Sequence, residues 1–217
     1  MDPDFWHRRW RDNRIGFHQG EINPHLVRYW QRLGVKPGGP VLVPLCGKSR
    51  DMAWLAESHP VLGVELSPKA AGDFYRESNL TVTPRREDPF IVYQSGPVAL
   101  LCGDFFDLQP AHTRGIAAVY DRAALIALPA DMRPAYAARL GALLASGTPM
   151  LLITLAYEQA QMDGPPFSVE AAEVEALFAA DWRIESLQRD DILDDEARYR
   201  ERGLSRLAEH VYLLSRR

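Results

Sequence analysis

The chain has 217 residues, 47% of them hydrophobic and 25% charged, which is typical of a single globular domain with a sizeable core. The net charge of −4 and the isoelectric point near 5.9 provide no basic surface for phosphate backbones, so we expect no nucleic-acid partner. No basic N-terminal region precedes an apolar stretch, and no apolar run approaches the roughly 18 residues of a membrane helix. We therefore expect a soluble cytoplasmic protein without a membrane partner.

The first 34 residues predict two helices. Residues 4–18 interleave aromatic side chains with arginines, and Trp6 and Trp10, four positions apart, share one face of the first helix. The second helix begins at Asn23-Pro24 and closes at Leu33-Gly34. The aromatic side chains are interpreted as anchors that pack this segment on the core, an interpretation that we favour for Trp6.

The stretch from Val41 to Asp51 predicts a buried strand, a turn at Gly47 and the start of a helix that reaches about Ser58. A second apolar run then stops at Glu65. This acid follows the glycine turn at close to the spacing of about 20 residues at which a carboxylate accepts hydrogen bonds from ribose hydroxyls. An ordinary strand–helix–strand unit with a solvated Glu65 is the alternative interpretation.

The turn lacks the full glycine fingerprint of dinucleotide-binding proteins, because Pro44 and Leu45 occupy the positions of its early glycines. A ligand that has a ribose but no pyrophosphate needs a less close approach to the backbone. S-adenosylmethionine is such a ligand.

The rest of the chain alternates strand and helix patterns. Strands are predicted over Val98–Cys102, Ile116–Tyr120, Thr148–Ala156, Trp182–Leu187 and Glu209–Leu214, and helices over Ser67–Ser78, Asp131–Leu144 and Val169–Phe178. Residues 81–93 are interpreted as an irregular or hairpin insertion. No helical crossover separates the last two strands, so they should form an antiparallel hairpin. These patterns predict a Rossmann-like α/β fold with a seven-stranded, mostly parallel sheet and helices on both faces.

Polar side chains follow several of these strands, where ligands of open α/β sheets bind. Asp104 follows one strand, and Asp121-Arg122 follow the next. Asp104 could instead cap backbone amides, and Asp121 could form a local ion pair with Arg122. The loop that begins at Tyr157 and contains Gly164-Pro165-Pro166 is either a stiff pocket wall, with Tyr157 facing substrate, or only a connector.

The two cysteines, Cys46 and Cys102, both lie at the ends of apolar runs. Their spacing is typical of neither a metal site nor a disulfide scaffold. We therefore expect two small buried thiols in a reducing compartment, and no metal.

Several motifs, in the same order along the chain, resemble those of the thiopurine S-methyltransferase family, bacterial type. The matching segments are Trp6-His7-Arg8-Arg9-Trp10, Ile15-Gly16-Phe17-His18, Val43 to Ser49, Gly63 to Ser67, Asp121 to Leu125, and Gly164 to Phe167. The likeness runs from near residue 5 to the C-terminus. It implies a class I methyltransferase that uses S-adenosyl-L-methionine, with one domain over 1–217 divided into an N-terminal lid and helix over 1–34 and a core over 35–217.

The resemblance also implies roles for individual residues. The cofactor-binding residues would be Trp10, Leu45, Gly47, Glu65, Asp104, Phe105 and Arg122. Phe17 and Tyr157 would bind the acceptor, while Asp121 and Arg122 would be the catalytic residues. The implied reaction is methyl transfer to a small thiol such as a thiopurine, or to selenium or tellurium species. Because the methyl donor is already activated by its positive charge, we expect in-line displacement without a strong general base, with alignment and exclusion of water as the main contributions. We also expect a monomer.

Two other functions stay open at this point. A nicotinamide-dependent oxidoreductase would use a similar sheet, although the missing glycine triplet and the hairpin ending argue against it. A non-enzymatic sensor of an adenosine ligand would keep the cofactor site and lack an acceptor pocket.

Overall fold

The computed structural model describes residues 2–217, and the chain divides into two compact units, the first ending at Tyr120 and the second spanning Asp121–Arg217. Each unit combines helices with strands of a sheet. No helix within residues 2–217 has both the length and the apolar character that crossing a bilayer requires.

The first unit contains four helices and the strands that follow them. The helices are α1 Pro3–Arg11, α2 Pro24–Tyr29, α3 Asp51–Leu55 and α4 Pro68–Glu77, with 3-10 helices over Trp30–Leu33 and Phe105–Asp107. The strands are β1 Val41–Val43, β2 Val61–Glu65, β3 Arg85–Glu87, β4 Phe90–Ser95, β5 Val98–Cys102 and β6 Ala118–Arg122, the last of which runs across the boundary between the units.

The strands of this unit follow the order β3-β4-β5-β2-β1-β6. The four strands β5, β2, β1 and β6 are parallel, while β4 and β3 add an antiparallel hairpin at one edge. Val41 pairs with both Val61 and Ala118, so β1, β2 and β6 are in register. Because they are parallel, their carboxyl ends lie along one edge.

The second unit contains the remaining helices and three further strands. The helices are α5 Arg133–Leu143, α6 Ala171–Phe178 and α7 Ala197–Glu201, with 3-10 helices over Leu125–Ala127 and Gln159–Gln161, and the strands are β7 Pro149–Ala156, β8 Trp182–Asp191 and β9 Ala208–Arg216. Strand β9 lies between β7 and β8 and pairs antiparallel with both. The apolar run of β7 is buried almost throughout, as its continuous hydrophobic sequence predicts.

The predicted α/β class and the antiparallel ending are confirmed, while the number of strands differs. The described residues form nine strands instead of seven, because the insertion at 81–93 folds into the hairpin of β3 and β4. The short helix α7 was not predicted, since five residues that include two arginines show no apolar periodicity. The single domain with a boundary after residue 34 stays a prediction.

Several element bounds also differ from the prediction; strand β8, for example, extends four residues further, to Asp191. Helix α3 ends at Leu55, because the backbone bonds that follow run to the third preceding residue: Glu57 donates to the carbonyl of Trp54 and Ser58 to that of Leu55, both at 3.2 Å. Strand β6 begins two residues later than predicted, since Ile116 donates to the carbonyl of Thr113 in a turn. It also ends two residues later, so Asp121 and Arg122 are its last residues and do not follow it as predicted.

Candidate functional site

The turn after β1 is joined to the end of β2 by the side chain of Glu65. One carboxylate oxygen accepts the backbone N–H of Gly47 at 2.8 Å, and the other accepts that of Ser67 at 2.7 Å. Leu45 and Gly47 both have positive φ, 46° and 56°. A leucine in this left-handed conformation is uncommon and is found where the surrounding structure fixes the backbone, as at ligand sites.

Glu65 is only 6% exposed. Burial raises its pKa from the ordinary 4.5 to about 7, and the amides of Ser67, Gly47 and Leu66 act in the opposite direction by stabilising the charge. Both protonation states are therefore accessible near neutral pH. A carboxylate in this environment is a frequent mark of a functional site.

The two thiols near Glu65 stay protonated. Burial, and then the charge of Glu65, raises the pKa of Cys102 to about 12 and that of Cys46 well above its ordinary value. Both cysteines are buried and free, as expected. Within residues 2–217 no group of three or more His, Cys, Asp or Glu side chains could hold a metal ion.

The indole of Trp10 lies against the Gly47 turn. A Cβ atom added to Gly47 would lie 3.0 Å from a carbon of this ring, so glycine allows both the backbone conformation and the close approach. Trp10 is 3% exposed, and Phe17 contacts both Trp10 and Trp6 edge to face at 5.6 Å between ring centroids. The structure thus brings Trp10, Phe17 and Trp6 together beside the turn.

Asp104 and Phe105 follow β5, which pairs with β2 so that Cys102 is opposite Glu65. The backbone N–H of Gly103 donates to the carbonyl of Glu65 at 3.0 Å. Asp104 is exposed and accepts the N–H of Phe106 at 2.9 Å, while Phe105 is buried. Asp104 therefore caps a turn, as the alternative interpretation predicts, at the sheet edge that also carries Glu65.

Sequence reasoning assigned Asp51 only to the first turn of a helix, yet it is a buried cross-link. Its carboxylate accepts the backbone N–H of Asn23 at 2.8 Å and the phenol of Tyr120 at 2.9 Å. The sequence carries no signal for these contacts, because the partners are 28 and 69 positions away.

In the second unit, Asp121 is fully buried and both of its carboxylate oxygens are engaged. One oxygen accepts the phenol of Tyr136 at 2.7 Å, and the other accepts the N–H of Leu125 at 3.2 Å. Burial raises the pKa of Asp121 from 3.8 to about 6, although the bond from Tyr136 lowers it. These bonds fix the chain that follows β6, where Ala123 has a positive φ of 65°.

Arg122 is half-buried at the end of β6. It acts electrostatically on Tyr199 of α7: burial raises the pKa of Tyr199, and Arg198, Arg202 and Arg122 lower it. The guanidinium of Arg198 lies 4.7 Å from the centroid of the Tyr199 ring. The unpredicted helix α7 thus adds an aromatic ring and further cations to the surroundings of Arg122.

The loop after β7 is closed by its own hydrogen bonds. Tyr157 is buried, and its hydroxyl donates to the carbonyl of Pro166 at 2.7 Å. The hydroxyl of Ser168 donates to the carbonyl of Tyr157 at 2.7 Å, and the side chain of Gln159 bonds to Met162 and to the amide of Ser168. The loop is therefore stiff, and the Tyr157 hydroxyl is engaged within it.

Arg133 supports this loop from α5 and was also missed. Its buried guanidinium donates to the carbonyls of Leu128 at 2.9 Å and Ser168 at 3.1 Å, and to Glu173 at 2.7 Å. It also lies 5.8 Å from the ring centroid of Phe167. A cavity of about 770 Å³ is lined by Arg133 and by residues of this loop, among them Tyr157.

The geometry of the first unit fits a ligand that carries a ribose. The ionised carboxylate of Glu65 has lone pairs beyond those that accept the two amides, and vicinal hydroxyls could donate to them. An aromatic ring lies beside the same turn, and Phe105 follows the neighbouring strand.

Comparisons with known proteins agree with this fit. The family model described as thiopurine S-methyltransferase matches residues 1–217. Curated thiopurine S-methyltransferases are similar over the whole chain: that of Pseudomonas paraeruginosa is 52% identical over 100% of both chains, and that of Pseudomonas fluorescens is 50% identical over 98% of both.

Solved structures share the fold at low sequence identity. A SAM-dependent methyltransferase from Anabaena variabilis has a TM-score of 0.69 at 16% identity, covering 100% of this chain and 96% of that one. The 1,6-didemethyltoxoflavin-N1-methyltransferase of Burkholderia thailandensis, solved with S-adenosylhomocysteine, has a TM-score of 0.63 at 18% identity and covers 99% and 86%. The match along the full length confirms the predicted family: the chain belongs to the thiopurine S-methyltransferase family, a family of S-adenosylmethionine-dependent methyltransferases.

Proposed function

We propose that this enzyme methylates the sulfur of small aromatic or heterocyclic thiols, with thiopurines as representative acceptors. The observation that carries the proposal is the buried carboxylate of Glu65, which joins the Gly47 turn to the end of β2 beside Trp10. The names of the similar Pseudomonas enzymes support the acceptor class. Selenium and tellurium species, which are also soft nucleophiles, belong to the same proposal.

Each cofactor-binding residue of the first unit would contact a different part of the cofactor. Glu65 would accept hydrogen bonds from the ribose hydroxyls, and the backbone of Leu45 and Gly47 would follow the ligand closely. Trp10 would cover it on one side. Asp104 and Phe105 would contact the adenine, and the family resemblance adds Arg122 as a further cofactor contact.

When bound, S-adenosylmethionine supplies a methyl group that its positive sulfur has already activated. Aromatic thiols ionise near neutral pH, so the protein needs no strong general base. The remaining contribution of the protein is to align the reactants and to exclude water, which can lower a barrier by several kcal/mol. The aromatic side chains of Trp10 and Phe17 suit this role.

Asp121 and Arg122 would have different tasks in this reaction. Both oxygens of Asp121 already accept hydrogen bonds in a fully buried position, which suits holding the chain around Arg122 better than removing a proton. Arg122 would bind the acceptor through its guanidinium, which is always charged.

The acceptor would be held by Phe17 and by the loop that begins at Tyr157. The internal hydrogen bonds of that loop support the idea of a stiff wall. We also propose that the enzyme acts as a cytoplasmic monomer on small molecules, without metal, membrane or nucleic-acid partners.

Calorimetric titration with S-adenosylmethionine, S-adenosylhomocysteine and NAD tests the cofactor first. Binding of the two sulfur compounds at micromolar concentration, with no binding of NAD, is the expected result. Methyl transfer is then measured with a thiopurine, an aromatic thiol, a selenol and tellurite. Tight cofactor binding without transfer to any of these acceptors would favour the adenosine-ligand sensor, and binding of NAD alone would favour the oxidoreductase.

A further inference from the structure

Asp51 has the sequence position of an ordinary first-turn acid but not its environment. It opens α3, four residues after Gly47, and is 1% exposed. Acids that only complement a helix dipole interact weakly and near the surface. The carboxylate of Asp51 instead joins three separate stretches of the first unit, through Asn23, its own helix and Tyr120.

The bond to Asn23 lies where the N-terminal segment ends. Asn23 is buried and caps α2 by accepting the N–H groups of His25 and Leu26, while its amide donates to Gln19 at 3.1 Å. The residues just before it include Phe17, which contacts Trp10. The bond to Asp51 therefore fixes the chain immediately after the aromatic residues.

At its N-terminal side, the stretch that leads to Asn23 begins after α1, which places the ring of Trp10 against Gly47. The segment is thus held at two places, by Trp10 on the glycine turn and by Asn23 on the helix that follows the turn. Hydrogen bonds to an ionised carboxylate are roughly twice as strong as neutral ones. Loss of the carboxylate would leave the Asn23 amide and the Tyr120 hydroxyl without this acceptor in a buried location.

We propose that Asp51 is a positioning residue that fixes residues 12–23, which we call the N-terminal arm, and so holds Trp10 and Phe17 beside the Gly47 turn. The effect on ligand binding rests on the proposed cofactor site at Glu65. The effect on the arm itself does not, because it concerns the protein without ligand.

Limited trypsin digestion of the ligand-free full chain measures how easily the N-terminal arm opens, because the exposed Arg14 lies within the arm. Asp51→Ala should increase the rate of cleavage after Arg14 by about tenfold, since local opening becomes easier when a buried acceptor is lost. Asp51→Asn keeps an acceptor oxygen without the charge and should give an intermediate rate. It is also the variant to analyse if Asp51→Ala does not fold.

Asp73→Asn is the matched control. Asp73 is another buried carboxylate of this unit, and its bonds run to Lys69 and Arg76 of its own helix. This variant should lose thermal stability without faster cleavage after Arg14. If both Asp51 variants lose stability but are cleaved no faster than Asp73→Asn, Asp51 has only a structural role and the proposal is overturned.

The dissociation constant of S-adenosylmethionine is the second readout and should rise about tenfold in Asp51→Ala as Trp10 and Phe17 become less ordered. Glu65→Ala separates the two proposals. Normal cofactor binding by Glu65→Ala would remove the proposed cofactor site, while faster cleavage of Asp51→Ala would still support the fixed arm. Weak binding by Glu65→Ala with unchanged binding and cleavage in Asp51→Ala would overturn the role of Asp51 alone.

Discussion

The carboxylate of Glu65 accepts the backbone N–H of Gly47 at 2.8 Å, so the acid at the end of β2 fixes the turn that follows β1. The same carboxylate would bind the ribose in the proposed function. Glu65 therefore shapes the cofactor site as well as contributing to it, which makes its substitution informative in two ways.

Glu65→Ala should weaken S-adenosylmethionine binding by about tenfold or more, because it removes a charged acceptor for two hydroxyls and releases the Gly47 amide. Isothermal titration calorimetry measures the change. Glu65→Gln keeps one acceptor oxygen and the size of the side chain, so it should bind with intermediate affinity. An unchanged dissociation constant in both variants would exclude Glu65 from the site.

Cofactor binding should depend on pH through Glu65. Its pKa in the free protein is about 7, and hydroxyl donors favour the ionised form, so affinity should rise with pH and level off above the pKa. Titrations between about pH 5.5 and 8 measure this, with a limiting slope of about tenfold per unit on the acid side. Glu65→Gln should lose the dependence, and a flat profile in the unmodified enzyme would contradict the prediction.

Ionisation of Glu65 should also affect the stability of the protein, in the opposite direction: cofactor affinity rises with pH, whereas the free energy of unfolding falls. The folded pKa of about 7 is higher than the ordinary 4.5, so the native state binds more protons between these values. The free energy of unfolding contributed by Glu65 should therefore decrease as pH rises from 4.5 to 7 in the absence of ligand. Denaturant titrations of the unmodified protein and Glu65→Gln across that range provide the test.

Asp121→Asn should reduce kcat only modestly, because we assign the carboxylate to holding the chain around Arg122. Tyr136→Phe, which removes one of its hydrogen-bond donors, should give a similar small effect. A loss of several orders of magnitude in Asp121→Asn, together with a rate that rises through the pKa near 6 in the unmodified enzyme, would instead identify a general base.

Arg133→Met should raise KM for the acceptor while leaving the dissociation constant of S-adenosylmethionine nearly unchanged. The substitution removes the guanidinium that donates to the carbonyls of Leu128 and Ser168 and to the carboxylate of Glu173. The loop after β7 therefore becomes less rigidly held. It should also lower the free energy of unfolding by roughly 2–4 kcal/mol, since buried carbonyls lose their partner.

Arg206→Met is the control for Arg133. This exposed arginine borders the same cavity and pairs with Glu170 at 2.6 Å. Exposed ion pairs contribute little to stability, so both KM and the melting temperature should be close to those of the unmodified enzyme. An equal rise of acceptor KM in both variants would show that the charge of the cavity, and not the support of the loop, is responsible.

The sequence predicts the surroundings of Glu65 because the relevant signals are local. An apolar run, a glycine turn and an acid after the next run define two strands and their ends without knowledge of distant residues. The same reasoning correctly places Asp104 after its strand, whereas Asp121 lies within β6, which extends to Arg122. The functional roles of these side chains stay predictions.

Asp51 and Arg133 show what such reasoning misses. Each has an ordinary position in a helix, and its importance lies in partners that only folding brings together, such as Tyr120 for the first and Ser168 for the second. Residue type and spacing do not encode which buried donor meets which acceptor. Tyr157 is a related case: the sequence places it at the start of its loop but does not indicate that its hydroxyl donates to the carbonyl of Pro166. Its role toward the acceptor stays a prediction.

The position of β9 has a consequence for the order in which the second unit can fold. This strand is made after β7 and β8 but lies between them, and Pro149 pairs with Ser215. During synthesis on the ribosome, β7 and β8 therefore lack β9, the strand with which both pair, until the chain has been extended to about residue 216. Their exposed backbone groups are then open to pairing with other chains, so aggregation during synthesis should depend on how quickly the final strand emerges.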